Sequence, residues 1–294
     1  LEVGLETVAQ TAQSMGLRTE IERYPSTAIG AAAVIPLQMA EAYSTFATLG
    51  TRVRPQPILL VQNRDGEVLW EPPPDRTQVL DSLTARIMVS MLEDVVAKGT
   101  GYNVRAPDRG GLPYDVPAAG KTGTTNDGTN VWFMGFTPNL MAAVWFGMDR
   151  PINIWELATG GGDAAPVWGK FMNRVYYGDT TQVVVDSVFQ ARQRLAGPIL
   201  ARLVEEADLS DPEASASDSE AGAPETRGYL LPIPEEWPIL PGLISRQVDN
   251  RSGLLASRWC PADSAYTELY LPGTEPTEFC DQSGFRIRRR PHSR

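Results

Sequence analysis

Lys121-Thr122-Gly123-Thr124-Thr125, followed closely by Val131-Trp132-Phe133-Met134-Gly135-Phe136, is the stretch whose reading decides the fold. The second run is almost wholly apolar, and Leu140 to Met148 is apolar again after the break at Thr137-Pro138-Asn139. Two such runs across a short polar break predict a strand hairpin with both faces covered. Ala118 to Thr124 reads as a shorter strand leading into it. The expected architecture is a sheet with helices on either side.

Outward from the sheet the spacing turns helical. Val3 to Met15 places Val8, Ala9, Ala12 and Met15 on one face, with Gly16 set to end the helix. Pro36 suits a first helical turn, and Leu37, Ala40, Tyr43, Phe46 and Ala47 continue an amphipathic helix as far as Gly50. Ile58 to Gln62 and Glu67 to Trp70 flank Arg64-Asp65-Gly66, a hairpin signature. From Ser82, read as an N-cap, Leu83, Ile87, Met91 and Val95 mark a helix that Gly99 and Gly101 stop. After Gly160-Gly161-Gly162 the helical spacing resumes over Ala164 to Tyr177.

The expected division has residues 1–178 as one α/β body and 179–209 as a helical extension. Residues 210–227 follow as a disordered acidic linker, and 228–294 as a Pro-rich, Cys-paired module. The linker contains no aromatic and no large aliphatic residue, so it buries too little to offset its ordering entropy. The chain opens at Leu1 inside a helical pattern, which is expected of a piece of a longer polypeptide.

Composition excludes several functions. A formal charge of −10 over 294 residues opposes nucleic-acid binding, apart from a local Arg-rich tail at residues 286–294 that reads as solvated charge. His292 is the only histidine, so no Ser-His-Asp or Cys-His arrangement can be built. Two cysteines and that histidine cannot close a zinc site, and neither a metal nor a cofactor is expected. Cys260 and Cys280 lie in a loop-rich segment, which suggests a disulfide in an oxidising compartment; the plainer alternative is two free thiols.

The Lys-Thr-Gly strand suits acyl transfer to or from a carboxylate-ended peptide. Lys121 brings positive charge, and the Thr122 and Thr124 hydroxyls can donate to a carboxylate. Gly123 in mid-strand costs about 0.5–1 kcal/mol against Ala, a penalty that signals close approach by a ligand or another backbone. In an ideal pleat Lys121 and Gly123 face one way and the two threonines the other, so a shared ligand requires twist or an edge position. At an edge the strand can also pair with an extended peptide. The plainer alternative is an ordinary strand end. The serine nucleophile that such chemistry needs is not present: the residues three before Lys98, Lys121 and Lys170, the only lysines, are Val95, Ala118 and Val167.

On these residues the chain resembles the class A penicillin-binding proteins, bifunctional peptidoglycan synthases of bacteria. The likeness extends over Pro36-Leu37-Gln38-Met39-Ala40 with Ala42-Tyr43, Gly99-Thr100-Gly101 and the Lys-Thr-Gly-Thr-Thr strand. It continues through Trp132-Phe133-Met134-Gly135 and Ala164-Ala165-Pro166-Val167-Trp168, and returns at Leu271-Pro272-Gly273-Thr274-Glu275-Pro276 and the two cysteines. The resemblance implies a penicillin-binding/β-lactamase-like α+β sandwich, incomplete at its N-terminal side, with a small irregular C-terminal module. It implies Lys121 and Thr124 in catalysis, the latter through its N–H in the oxyanion hole, and Thr122, Gly123, Thr124 and Thr125 in substrate binding. Implied ligands are D-Ala-D-Ala stem peptides and β-lactams, and cell-wall synthesis proteins are implied partners. The implied location is extracytoplasmic, with a membrane anchor and a glycosyltransferase lying upstream. The family's Ser-x-x-Lys and Ser-x-Asn motifs also belong upstream of Leu1, and Asn130 stands where the family often has Asp. A non-catalytic peptidoglycan- or partner-binding relative is the alternative, and a β-lactamase-like hydrolase a further one.

Overall fold

The computed structural model describes residues 3–178 and 230–280. The helical extension, the acidic linker and the Arg-rich tail expected from the sequence lie outside the described residues. The described residues fall into two compact units, one of residues 3–94 with 236–280 and one of residues 95–178 with 230–235.

The first unit begins with α1 (Leu5–Ser14) and α2 (Pro36–Ala47). Helix α1 ends as its sequence predicts. Gly16 takes φ 114, its N–H reaches Gln13 O, and Leu17 N–H reaches Ala12 O, so two orphan carbonyls of the last turn are satisfied. Pro36 starts α2 from an extended Ile35. Here the predicted period holds but the face is displaced: Leu37 is exposed, and the buried line is Gln38, Glu41, Ala42 and Thr45. Polar side chains on that line are held by hydrogen bonds. Gln38 Oε1 accepts from the N–H groups of Arg18 and Thr19, and the fully buried Glu41 carboxylate accepts from Arg18 Nη1 and Nη2 at 3.2 and 2.8 Å. Arg52 Nε adds a second cation 3.5 Å from Glu41. A Cβ at Gly16 would fall 2.7 Å from Glu41 Cδ, so the glycine that ends α1 also makes room for this cluster.

Short strands β1 (Thr51–Val53), β2 (Val61–Gln62), β3 (Val68–Trp70) and β4 (Arg76–Gln78) follow, with β1 paired to β4 and β2 to β3, both antiparallel. The β2–β3 turn is the one its Asp-Gly pair predicts: Gly66 has φ 83 and Asn63 Oδ1 accepts from the N–H groups of Asp65 and Glu67. Helix α3 (Ser82–Ala97) is capped one residue earlier than expected, by Asp81 Oδ1 accepting from Leu83 and Thr84 N–H at 3.0 Å each. Its most buried line is Ala85, Val89, Leu92 and Val96, while Met91 is exposed. Trp237 is buried, and its indole N–H donates to Ala47 O at 3.1 Å. Arg86 Nε donates to Pro238 O at 3.0 Å. The C-terminal part also holds the antiparallel pair β8 (Ile244–Asp249) and β9 (Ala265–Tyr270), where the sequence predicts only a Pro-rich module. Cys260 and Cys280 are bonded, with their Cα atoms 6.1 Å apart.

The second unit is a three-stranded antiparallel sheet in the order β5 (Ala119–Thr124), β6 (Asn130–Phe136), β7 (Met141–Gly147), packed against α4 (Ala165–Tyr177). Trp168, Phe133, Phe136, Met172, Val104, Leu112 and Val116 are fully buried. The Trp168 indole N–H is shared between Gly135 O at 3.2 Å and Ala142 O at 3.1 Å. At the far end of α4, the Thr137 hydroxyl lies 2.7 Å from Tyr176 Oη. The expectation that both faces of the β6–β7 hairpin are covered fails for β7. Trp145 and Phe146, successive residues that point to opposite faces of β7, each remain about two-fifths exposed.

Two outcomes test this fold. Glu41→Ala takes the carboxylate from Arg52 and opens a buried cavity, while the half-exposed Arg18 can turn to water, and it should destabilise the protein by about 1–3 kcal/mol in denaturant unfolding. Natively isolated protein should show no titratable thiol, and reduction should lower stability by about 3 kcal/mol through the freed twenty-residue loop.

Candidate active site

Strand β5 pairs only with β6, so it is an edge of the sheet among the described residues. The register sets Thr124 opposite Val131, Thr122 opposite Phe133 and Lys121 opposite Met134. Directly opposed residues share a face. The two threonines therefore point to the face that carries the buried Val131 and Phe133, and the exposed Lys121 points to the other. Lys121 Nζ folds back along the strand to donate to Thr122 O at 2.8 Å.

The threonine face is met by two backbone segments. Thr100, in the Gly99-Thr100-Gly101 turn after α3, brings its hydroxyl to 2.7 Å from Thr122 Oγ1. The π-helical turn Gly160–Ala164, just ahead of α4, donates its first N–H, that of Gly160, to Thr124 Oγ1 at 2.9 Å. On the threonine face the closest approach is made by Gly160, whereas the missing side chain of Gly123 faces Trp132 on the other side of the sheet. A Cβ on Gly160 would fall 2.5 Å from Gly123 O and would overlap Trp132 O, and a Cβ on Gly123 would fall 3.2 Å from Trp132 Cβ.

The glycine turn is itself held. Asn103 Nδ2 donates to Gly161 O at 2.8 Å, Arg109 Nη1 to Gly162 O at 3.2 Å, and Thr159 Oγ1 accepts from Gly162 N–H at 2.9 Å. The buried Asp163 carboxylate accepts from Thr159 N–H at 2.9 Å. Behind the strand, Arg105 donates to the carbonyls of Leu112, Pro113 and Val116 and so braces the segment that enters β5. Burial pushes the Arg105 guanidinium below its ordinary range, against the opposing influence of Tyr114 and Asp115.

Of the residues singled out in the sequence, Thr122, Gly123 and Thr124 come together here. Thr125 is engaged elsewhere: its hydroxyl accepts from the N–H groups of Thr129 and Asn130 at 3.0 Å each and closes the β5–β6 turn. Cys260 and Cys280 belong to the other unit. Asn103 and Arg109 carried no motif, and the glycine run Gly160 to Gly162 read only as a loop; its density of glycine was the one signal of a close backbone approach.

Residues 5–173 match the model of the penicillin binding protein transpeptidase domain. The chain belongs to this transpeptidase family. Residues 240–284 match a second model, described as the penicillin-binding protein 1A C-terminal domain. Among curated relatives, penicillin-binding protein 1A of Aquifex aeolicus is 37% identical over 174 residues, which is 59% of this chain and 23% of the relative. The protein of the same name from Neisseria meningitidis serogroup B is 35% identical over 178 residues, 58% of this chain and 22% of the relative. The chain thus spans about a quarter of the length of the curated relatives it matches. A crystal structure of penicillin-binding protein 1A from Haemophilus influenzae superposes with a TM-score of 0.61 at 19% identity, covering 94% of this chain and 38% of that one. That likeness shows the fold alone, and it agrees with the mixed helix-and-sheet transpeptidase architecture expected from the sequence.

Gly160→Ala tests the stacked backbones of the transpeptidase strand. Its methyl must displace either β5 or the turn, at a cost of about 1–3 kcal/mol in thermal unfolding. Faster amide exchange should accompany it at residue 160, whose N–H would no longer reach Thr124.

Proposed function

We propose that this chain supplies the carboxylate-binding strand of a peptidoglycan D,D-transpeptidase, which cross-links stem peptides ending in D-Ala-D-Ala and is acylated by β-lactams. The observation that carries this reading is the pair of threonine hydroxyls, Thr122 and Thr124, on one face of an edge strand. Alternate positions on a strand lie about 6.5–7 Å apart, a span that two donors can close onto one carboxylate. The Thr124 N–H is the candidate oxyanion donor, and the loss of one such donor typically costs about 2.7–4 kcal/mol of transition-state stabilisation. Lys121 adds positive potential along the strand.

The acyl acceptor in this scheme is a serine from a Ser-x-x-Lys motif that this chain does not contain. Hydroxyl attack on the stem-peptide amide carbonyl would expel D-alanine and leave an acyl-enzyme that a second amine resolves, whereas attack on a β-lactam carbonyl would open the ring, keep the amine tethered and leave a persistent acyl-enzyme. Residues 1–178 are assigned to the C-terminal part of the transpeptidase domain and 228–294 to an appended module. Family models that stop at 173 and resume at 240 support that division. An extracytoplasmic location, anchored by a segment outside this chain, follows from the substrate, as does contact with other cell-wall synthesis proteins.

Fluorescent penicillin tests the proposal. This chain by itself should form no adduct that survives boiling, whereas a polypeptide that also carries the Ser-x-x-Lys and Ser-x-Asn segments should be labelled. In that longer protein, Thr122→Val and Lys121→Ala should each slow acylation about tenfold or more. An adduct mapped to a serine of this chain, or acylation unchanged in both variants, overturns the reading.

A further inference from the structure

The β1–β4 ladder ends where Val53 lies opposite Arg76, and the β2–β3 ladder begins where Val61 lies opposite Trp70. Between them the two segments run without strand pairing. Pro55, Pro57, Pro72, Pro73 and Pro74 have no N–H to give to a ladder, so the sequence itself interrupts it. The interruption leaves an open cavity of about 480 Å3, walled by Trp70, Ile58, Pro55, Pro57 and Pro72. That volume is typical of ligand sites. Three contacts hold the walls together: Gln56 Nε2 donates to Pro73 O at 2.8 Å, Arg54 N–H donates to Asp75 O at 3.0 Å, and Arg54 Nη1 lies 3.5 Å from Asp75 Oδ2. Apolar surface continues along the same hairpin on the exposed Leu59, Leu60 and Leu69, and contiguous exposure of this kind marks interaction sites.

Two donors stand ready at the cavity. Trp70 is half exposed, and its indole N–H has no acceptor among the described residues. Arg54 is 58% exposed and makes a single long side-chain contact, to Asp75, so most of its guanidinium N–H groups are open. We propose that this cavity binds a neutral, extended, proline-rich segment of a partner protein. A polyproline II chain makes no internal hydrogen bonds, so its carbonyls are free to accept from the indole and the guanidinium. Its prolyl rings present the apolar surface that walls of Trp, Ile and Pro cover, which is how aromatic-lined grooves take such segments. Charge agrees with this. The paired Arg54 and Asp75 leave the rim without net charge, matching a neutral segment. Proline fixes the backbone of both ligand and walls, so little freedom is lost on binding.

The test is an NMR titration of the full chain with acetyl-hexaproline amide, with a Gly-Ser peptide of equal length and chitotriose as comparison ligands. Hexaproline should shift the Trp70 indole N–H and the backbone amide of Leu69, and the other two should shift neither. The indole N–H of the buried Trp237 should stay in place throughout as a control on the fold. Read at the Leu69 amide, Trp70→Ala should weaken binding about tenfold or more. Trp70→Phe, which keeps an aromatic face but loses the N–H, and Arg54→Met should each weaken it about fivefold, the value of one hydrogen bond. Wild type that does not bind hexaproline, or that binds the Gly-Ser peptide equally well, overturns the proposal. A larger response to chitotriose overturns it in favour of a saccharide site. Wild-type affinity in Trp70→Ala, or in both Trp70→Phe and Arg54→Met where the alanine variant unfolds, overturns it as well.

Discussion

The second unit depends on one fit, Trp168 seated where Gly135 has no side chain. A Cβ at Gly135 would overlap the indole, and with glycine there the ring drops onto the sheet, its N–H bridging carbonyls of β6 and β7. Phe133 meets it edge-on, with ring centroids 5.4 Å apart. Aromatic pairs of this geometry contribute about 0.5–1.5 kcal/mol beyond the area they bury. Once Trp168 is seated and Tyr176 is tied to Thr137, α4 has only one position against the sheet, and the glycine turn that precedes it is carried over Gly123.

The candidate site is therefore built from absences of side chains as much as from functional groups. Gly160 and Gly161 let the turn approach the backbones of β5, β6 and Thr100 until its N–H reaches Thr124 and the Thr100 carbonyl lies against it. Close packing of this kind has no slack, since interiors are as dense as molecular crystals. The Thr124 hydroxyl held in this way accepts from the Gly160 N–H, which fixes where its oxygen sits on the strand.

The first unit solves a different problem by different means. Its helices α1 and α2 meet around a buried carboxylate, and the cost of removing Glu41 from water is offset by Arg18 and Arg52 rather than avoided. This explains why the buried line of α2 is displaced from the face that hydropathy selects. Hydrophobic periodicity locates a helix, whereas its orientation is decided by which neighbours satisfy it. The same displacement recurs in α3, where Met91 faces solvent and Ala85, Val89 and Leu92 lie inside.

Much of this protein was legible in its residues because the signals were local. Chain stereochemistry places the end of α1 at Gly16, the turn at Asp65-Gly66 and the start of α2 at Pro36, and apolar runs mark the strands of the sheet. The Lys-Thr-Gly strand and its family followed from a short motif in the right setting, and with them the pairing of Thr122 and Thr124 on one face. Tertiary structure alone decided that Thr125 closes a turn, that Gly160 is the backbone laid over β5, and that Thr100, Asn103 and Arg109 gather around the threonines and their glycine turn. Those partners lie some twenty to sixty residues apart along the chain. No local preference encodes such distances, because they are set only when Trp168 finds Gly135 and brings α4, with its glycine turn, onto the strand.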